Sequence, residues 1–291
     1  MKFTGVIPAL VTPLRADETI NTEVLESLMA HLVSEGADGF YVGGATGEGL
    51  ALKTEERMVL AEAAVKYACG KPTIVQIAAA DYRDAIALAK HAESVGADAI
   101  SATAPVFFGY DEDDVYNYYK GLANAVHVPL MMYYNTAAGF TFTADFAARV
   151  FGIDNVTAIK WTSSNYYEML RLKDITQGEM NIINGPDEML LMGLSAGADG
   201  GIGTTYNFQM KNIRAVYDNF VAGNIDEARA AQMKADRVIK ALLGYKIIPA
   251  TKVIMEQMGF KVGEASFPMK RYTAEQRSEI VESVRKAGLD I

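Results

Sequence analysis

The chain has little cysteine, and this shortage narrows its chemistry. Cys69 is the only cysteine among 291 residues. A single cysteine excludes a disulfide framework and a cysteine metal cluster. Because Cys69 follows an apolar helical run, we expect it to be a small core residue and not a nucleophile.

Long apolar runs and basic stripes are also missing. No apolar stretch approaches the roughly 18 uninterrupted residues that a membrane helix needs, and the first residues lead into a strand-like run in place of a secretory signal. The net charge is -9, from 27 Lys and Arg against 36 Asp and Glu, and no basic stripe is interleaved with aromatic residues. We therefore expect a cytoplasmic protein that binds neither nucleic acid nor membranes.

Strand-like runs recur along the chain, each followed by a segment with helical periodicity. Eight strands that alternate with helices predict a parallel (β/α)₈ barrel, the TIM barrel. A Gly-Ala-Asp triplet stands between a helical run and a strand at three places, which suits a glycine helix stop before a tight turn. The eight runs are residues 5–13, 39–48, 72–80, 98–105, 128–136, 156–164, 180–188 and 200–207.

The C-terminal part of the chain contains helical patterns only. No polar linker separates it from the barrel, so we expect residues 1–291 to form a single domain. In this interpretation the barrel covers residues 1–222, and residues 223–291 form a helical extension packed on it. A separate C-terminal helical domain is the alternative. The helical segments lie near residues 225–243, 248–259 and 273–287.

The three histidines lie in the wrong places for imidazole chemistry. Catalytic groups of a TIM barrel lie at the C-terminal ends of the strands, whereas His31, His91 and His127 lie in helical runs or before a strand. A metal-dependent aldolase or a histidine-based hydrolase needs imidazoles at the strand C-termini. The sequence therefore argues against both classes, and we expect no metal site.

Lys160 interrupts an apolar strand pattern, next to the only tryptophan. Because side chains alternate along a strand, Ala158, Lys160 and Thr162 share one face while Ile159 and Trp161 share the other. If the apolar pair packs on the helices, Lys160 points into the barrel. Burial disfavours the charged ammonium, and a free amine is a nucleophile that forms a Schiff base with a ketone. A strand-end lysine whose amine reaches the rim is the alternative.

Tyr134 ends the fifth predicted strand, beside the strand that carries Lys160. A phenol in this position can exchange protons as a general acid and base, which an iminium mechanism requires. Tyr133 is equally eligible by residue type, and strand alternation lets only one of the two face inward.

The segment GGATGEG, residues 43–49, predicts a glycine-rich turn with exposed amides after the second strand. Such a turn suits a carboxylate or phosphate, and the hydroxyl of Thr46 adds a donor. The segment matches neither the P-loop nor the dinucleotide-binding pattern, which argues against a nucleotide.

Taken together, these motifs resemble a known family. Gly44-Ala45-Thr46-Gly47-Glu48, Tyr134-Asn135, Lys160 in an I-K-x-T-S setting, NGPDE and GADGGIGTTYN are similar to the N-acetylneuraminate lyase and dihydrodipicolinate synthase superfamily of Schiff-base (β/α)₈ enzymes. The resemblance covers essentially the whole chain and is greater to the lyase branch.

This resemblance implies roles for individual residues. Lys160 would form the iminium with pyruvate, and Tyr134 would relay the proton. Thr46, with the backbone amides of Gly47 and its neighbours, would hold the pyruvate carboxylate. The resemblance also implies a homotetramer and no cofactor other than the covalent lysine-pyruvate imine. The residues that would face the hydroxylated tail of a sugar acid are Thr162, Gly185, Asp187, Glu188 and Thr204.

Several positions depart from the family pattern. Ala45 stands where the family usually has a hydroxyl residue, so a proton relay would have to run through the substrate carboxylate or water. The loop TAAGF, residues 136–140, lacks the usual proline and is shorter. Phe107 and Phe108 replace tyrosines, and no arginine follows Asn135. The last two departures argue against the synthase.

Two functions from different classes stay open on the sequence. The first is a class I aldolase that cleaves a 2-oxo sugar acid, with N-acetylneuraminate as the leading substrate, to pyruvate and N-acetylmannosamine. Dihydrodipicolinate synthesis and cleavage of a 2-keto-3-deoxy sugar acid are the alternatives within the superfamily. The second is a noncatalytic protein that binds a sugar acid. A desolvated amine is costly to a pure binder, which favours the enzyme.

Overall fold

Eight parallel strands form one sheet in the structure, a computed structural model that describes residues 2–291. The strands are β1 (Gly5–Pro8), β2 (Phe40–Val42), β3 (Thr73–Gln76), β4 (Ala99–Thr103), β5 (Leu130–Asn135), β6 (Val156–Thr162), β7 (Asn181–Asn184) and β8 (Gly200–Gly203). Their order is β1-β8-β7-β6-β5-β4-β3-β2, and a bridge between Ala9 and Tyr41 joins the two ends of the sheet. The predicted (β/α)₈ barrel is confirmed.

Each strand is followed by a helix, and three further helices end the chain. None of the helices within residues 2–291 is long and apolar enough to cross a membrane. The helices are α1 (Thr22–Ser34), α2 (Thr54–Tyr67), α3 (Tyr82–Ser94), α4 (Glu112–Ala125), α5 (Ala144–Phe151), α6 (Tyr166–Ile175), α7 (Leu190–Ser195), α8 (Tyr206–Val221), α9 (Ile225–Ala241), α10 (Ile247–Gln257) and α11 (Ala274–Lys286).

The core has an inner layer and two outer clusters. The inner layer fills the barrel with alternate strand residues, which include Ile7, Tyr41, Met131 and Ala158. One outer cluster joins α1, α2 and α8 to the C-terminal helices α9, α10 and α11. The other lies between the strands and helices α3 to α6. The C-terminal helices thus bury their apolar faces against the barrel helices and not against one another alone.

The three Gly-Ala-Asp triplets perform the same structural task. Their glycines, Gly36, Gly96 and Gly197, have φ of 101°, 87° and 91° and end a helix in the left-handed region. Each following aspartate then accepts a hydrogen bond from the backbone N–H of a residue near the start of the preceding strand. The pairs are Asp38 with Val6, Asp98 with Thr73 and Asp199 with Ile182, at 2.9, 2.8 and 2.9 Å.

The prediction that Cys69 lies in the core is wrong. Cys69 is exposed and follows α2 in the left-handed region, with φ of 53°. The chain turns away from the helix at this residue, so the side chain does not continue the buried face of α2.

Candidate active site

Lys160 lies in the lumen of the barrel and is 6 % exposed. Ala158, two residues earlier on β6, belongs to the inner layer, while Ile159 and Trp161 pack between β6 and the helices. The alternation predicted from the sequence therefore operates in β6. The Nζ atom lies 4.5 Å from the ring centroid of Tyr133 and 4.8 Å from that of Tyr41.

The tyrosine that faces Lys160 is Tyr133, so the prediction that Tyr134 faces the lumen is wrong. Tyr133 pairs with Lys160 across β5 and β6, and Tyr134 pairs with Trp161. Paired residues of neighbouring strands lie on the same side of a sheet. Because Trp161 lies on the outer face, Tyr134 lies there too. There the ring of Tyr134 stacks on Phe142, with centroids 5.1 Å apart, and meets Trp161 edge-on at 4.8 Å.

The hydroxyl of Tyr133 has a partner from its own strand. Asn135 lies two residues further on, on the same face, and its Nδ2 donates a 3.2 Å hydrogen bond to the phenol oxygen. A donor at this oxygen offsets part of the negative charge that develops when the phenol gives up its proton.

Thr46, one of the residues predicted to hold a carboxylate, meets a residue from the other end of the sheet. Its Oγ1 lies 2.7 Å from Oγ1 of Thr204, which follows β8. Within residues 2–291, the backbone amides of Thr46 and Gly47 donate no hydrogen bond to another protein atom. A Cβ on Gly47 would lie 2.9 Å from the carbonyl oxygen of Leu10, so the turn accepts only glycine there without a shift. The turn therefore offers two free donors beside a hydroxyl pair.

Asp187 is buried behind the end of β7, although it carries a carboxyl group. Its Oδ2 accepts hydrogen bonds from the backbone N–H and the hydroxyl of Thr205, both at 2.7 Å. Burial raises the pKa of Asp187 from 3.8 to about 6, against the opposing effect of these hydrogen bonds and of Lys160. A Cβ on Gly203 would lie 2.1 Å from Oδ1 of Asp187, so the glycine makes room for this carboxyl.

The other residues predicted to face a sugar tail lie at the ends of β6, β7 and β8. Thr162 and Gly185 are in direct contact, because a Cβ on Gly185 would lie 1.9 Å from Oγ1 of Thr162. This hydroxyl is buried and has no hydrogen-bond partner. Glu188 is exposed at the rim. The structure thus brings the five predicted tail residues to the ends of β6, β7 and β8.

A cavity of about 300 Å³ opens on the opposite side of the barrel mouth, over β2 to β5. Tyr133 and Asn135 line it, so the phenol next to Lys160 also faces this space. The family departures lie around it: Ala45 is exposed in its wall, and the short 3₁₀ turn Thr136–Ala138 replaces a longer loop. Phe107 and Phe108 project from the molecule, 93 % and 69 % exposed.

Glu48 ties the glycine-rich turn to the C-terminal extension. Its Oε2 accepts hydrogen bonds from the backbone N–H and the hydroxyl of Ser266, at 2.6 and 2.7 Å. Its Oε1 lies 2.6 Å from Nζ of Lys252, on α10, in an ion pair whose side chains are 0 % and 2 % exposed. Burial lowers the pKa of Lys252 even beside this carboxylate.

From the sequence alone, Tyr41 and Thr205 have no predicted role, Asn135 is named only within the Tyr134-Asn135 motif, and Tyr134 is preferred to Tyr133. The pairing of Tyr133 with Lys160 depends on strand register, which no local pattern contains. Thr205 was identifiable as a hydroxyl directly beside the predicted Thr204. No group of three or more His, Cys, Asp or Glu within residues 2–291 has the geometry to hold a metal ion.

The fold and the site define a class of enzyme. A lysine inside a (β/α)₈ barrel, next to a tyrosine hydroxyl and a turn with free amides, is the arrangement of a Schiff-base aldolase. The family model described as "Dihydrodipicolinate synthetase family" matches residues 2–287. The chain therefore belongs to the dihydrodipicolinate synthetase family and is a Schiff-base aldolase or lyase of that family.

Named relatives and solved structures resemble the whole chain. The N-acetylneuraminate lyase of Rhizobium meliloti (strain 1021) is 33 % identical over 285 residues, which cover 98 % of this chain and 95 % of that protein. The structure of Proteus mirabilis N-acetylneuraminate lyase is 30 % identical, covers 100 % of both chains and has a TM-score of 0.94. The lyase from Aliivibrio salmonicida is 28 % identical, with a TM-score of 0.95 and coverage of 100 % and 99 %.

Proposed function

We propose that the protein cleaves N-acetylneuraminate to pyruvate and N-acetylmannosamine. The observation that carries this proposal is the polar cluster at the ends of β6 to β8, where Asp187, Thr162 and Glu188 lie on the side of the mouth next to Lys160. Several hydroxyl groups can pair with this cluster, whereas an apolar aldehyde would leave its buried polar atoms unpaired.

The reaction begins with an adduct at Lys160. The neutral amine adds to C2 of the open-chain sugar acid, and a proton moves from nitrogen to oxygen to give a neutral carbinolamine. Tyr133 protonates the carbinolamine hydroxyl, which leaves as water, and the product is a cationic iminium. The hydroxyl of Thr46 and the free amides of Thr46 and Gly47 hold the C1 carboxylate meanwhile. Thr204, predicted to face the sugar tail, contacts the hydroxyl of Thr46. Ala45 supplies no hydroxyl, so Tyr133 and the substrate carboxylate are the groups that move protons.

Cleavage then uses the iminium as an electron sink. The C3–C4 bond breaks, its electron pair passes to the iminium, and the nitrogen becomes neutral in an enamine. The C4 hydroxyl loses its proton, and C4 leaves as the aldehyde of N-acetylmannosamine. Tyr133 is placed to accept this proton and return it to C3. Water then hydrolyses the pyruvate iminium and frees Lys160.

Relatives support the substrate without deciding it. Two solved structures and one curated protein with close to 30 % identity carry the name N-acetylneuraminate lyase. Ala45 and the short turn after Asn135 depart from the family pattern at the mouth of the barrel.

Borohydride reduction tests the chemistry of Lys160. The protein is incubated with pyruvate and sodium borohydride, digested and mapped by mass spectrometry. We expect the reduced pyruvate adduct on Lys160. Lys252 is an internal control, because it is also buried but is held in an ion pair with Glu48. An unmodified Lys160 peptide would reject the mechanism.

A substrate panel tests the aldehyde. N-acetylneuraminate, 2-keto-3-deoxygluconate, and aspartate semialdehyde with pyruvate are compared by kcat/KM. We expect the highest value for N-acetylneuraminate. Activity on the semialdehyde alone would make the protein a synthase, the first alternative.

We further propose that residues 1–291 act as a single domain and that the protein is a cytoplasmic homotetramer. The shared apolar cluster of the barrel helices with α9, α10 and α11 supports the first statement. Light scattering of the purified protein measures its oligomeric state.

A further inference from the structure

Tyr41 is a lumen residue for which the mechanism above has no use. It lies on β2, is 1 % exposed and faces the same interior as Lys160 and Tyr133. Its hydroxyl donates a 3.0 Å hydrogen bond to Oγ of Ser101, on β4. The bond to Ser101 fixes the hydroxyl of Tyr41. The part of Tyr41 that approaches Lys160 is its ring.

The Nζ atom of Lys160 lies in a corner formed by two rings. It is 4.8 Å from the centroid of Tyr41 and 4.5 Å from that of Tyr133. The two rings meet edge to face, with centroids 6.0 Å apart and an interplanar angle of 79°. A cation within about 6 Å of an aromatic face is attracted by the negative face of the ring, most strongly where water is excluded.

No carboxylate within residues 2–291 forms an ion pair with Lys160, although the charge of Lys160 acts on Asp187. Within residues 2–291 its Nζ forms no ion pair, in contrast to Lys252, which is buried against Glu48. Asp187 is the acid whose charge Lys160 influences, and burial raises the pKa of that acid. The iminium nitrogen that Lys160 forms with the substrate is a buried cation, and its charge needs a source of negative potential. The two ring faces are that source.

The fold holds the ring of Tyr41 in place from above. A Cβ added to Gly44 would lie 2.5 Å from Cε1 of Tyr41. The ring therefore fills the space directly against the glycine-rich turn at Gly44. With Ser101 holding its hydroxyl, Tyr41 cannot swing away without losing a buried hydrogen bond.

We propose that Tyr41 is a second catalytic tyrosine, which acts through its ring face by stabilising the positive charge on the Lys160 nitrogen in the iminium. This inference rests on the proposed Schiff-base function. The ring favours the ammonium and the iminium, where the nitrogen is charged, over the carbinolamine and the enamine, where it is neutral. Tyr41 thereby sets the fraction of the adduct that is present as the iminium, which is the electron sink that cleavage requires.

A fluorination series separates this electrostatic role from packing. Position 41 is replaced by Phe, 4-fluoro-Phe, 3,5-difluoro-Phe and pentafluoro-Phe through stop-codon suppression. Each fluorine weakens the negative ring face while the ring keeps its shape. All members lack the hydroxyl, so the loss of the bond to Ser101 is common to the series. The same residues at Tyr119, which is buried outside the lumen, form the matched control.

The readout is the ratio of iminium to neutral adduct forms, taken from the C2 resonance of bound [2-¹³C]pyruvate. We expect the ratio to fall stepwise with fluorination at position 41, by about 5- to 30-fold across the series, and to stay constant at position 119. Tyr41→Leu, which removes the ring, should give a ratio below that of Phe, and pentafluoro-Phe, whose ring face is positive, should give the lowest ratio.

Three negative results are possible, and they have two different meanings. A wild-type protein that forms no adduct on Lys160 would overturn the proposed function and this inference with it. An adduct that forms normally, with the same iminium ratio for Phe and pentafluoro-Phe at position 41, would overturn the role of Tyr41 alone. An equal fall at positions 41 and 119 would also overturn it, because it would show an effect of packing.

Discussion

Lys252 and Glu48 form an ion pair inside the protein, with Nζ 2.6 Å from Oε1 and almost no exposure of either side chain. The pair joins α10 to the turn that carries Thr46. The second oxygen of Glu48 binds Ser266, 218 residues further along the chain. The carboxylate of Glu48 therefore links the C-terminal extension to the glycine-rich turn.

Loss of Lys252 should destabilise the protein strongly. Lys252→Met leaves the carboxylate of Glu48 buried and unpaired, and we expect the free energy of unfolding to fall by about 3–5 kcal/mol. Denaturant unfolding followed by circular dichroism measures this free energy of unfolding. Glu48→Gln combined with Lys252→Met should recover part of the loss, because no buried charge then remains.

The matched control is an exposed pair, Lys286 with Glu282 on α11, whose side chains are 74 % and 57 % exposed. Lys286→Met should cost less than about 1 kcal/mol. A Lys252→Met variant as stable as this control would show that Glu48 does not need its partner.

Asp187 should make stability depend on pH. Its pKa of about 6 in the folded protein lies above its ordinary value of 3.8. The folded state therefore holds a proton that the unfolded chain has already released, and this contribution to stability is lost as the pH rises from about 4 to about 6. The loss amounts to ~3 kcal/mol.

Asp187→Asn removes this titration while it keeps an oxygen for Thr205. We expect the free energy of unfolding of the variant, relative to wild type, to increase by up to ~3 kcal/mol between about pH 4 and pH 7. Denaturant unfolding at several pH values gives the curve. A difference that does not change with pH would contradict the raised pKa.

Tyr133 and Tyr134 provide a matched pair of variants. Tyr133→Phe removes the hydroxyl that faces Lys160 and should lower kcat for N-acetylneuraminate by about 10²- to 10⁴-fold. Tyr134→Phe removes a hydroxyl on the outer face and should change kcat only slightly. Steady-state kinetics of both proteins decides, and a greater loss in Tyr134→Phe would return the proton relay to that residue.

Glu188 should contribute to turnover of the sugar acid and not to formation of the pyruvate adduct. Because it is exposed at the rim, Glu188→Gln leaves the fold intact, and we expect kcat/KM for N-acetylneuraminate to fall by about 10-fold or more as a charged hydrogen bond is lost. The yield of borohydride-trapped pyruvate adduct should not change. Glu275→Gln, an exposed substitution on α11, is the control. Equal losses of cleavage and of adduct would remove Glu188 from the tail site.

The sequence predicts some of these positions better than others, for physical reasons. The inward face of β6 was predictable because Lys160 and Trp161 differ sharply in polarity, so only one assignment buries the apolar residue against the helices. The same alternation fails at Tyr133 and Tyr134, since both are phenols. Their faces are decided by pairing with Lys160 and Trp161, which depends on the register of the closed barrel.

Long-range contacts were beyond local patterns for a similar reason. The ion pair of Glu48 with Lys252, the contact of Thr46 with Thr204 and the ring of Tyr41 under Lys160 join elements far apart in the chain. Periodicity indicates which face of an element is buried but not which residue of a distant element meets it. The family resemblance supplied Thr46 and Thr204 as site residues without indicating that their hydroxyls touch.

The three aspartates that bind the starts of strands stabilise the end of the barrel opposite the mouth. Asp38, Asp98 and Asp199 fasten the floor of the barrel, at the end away from Lys160. Loops at the mouth are then free to vary, because the scaffold does not rely on them for its alignment. To obtain activity on another aldehyde, residues 136–140 can be randomised while Asp38, Asp98 and Asp199 are kept unchanged.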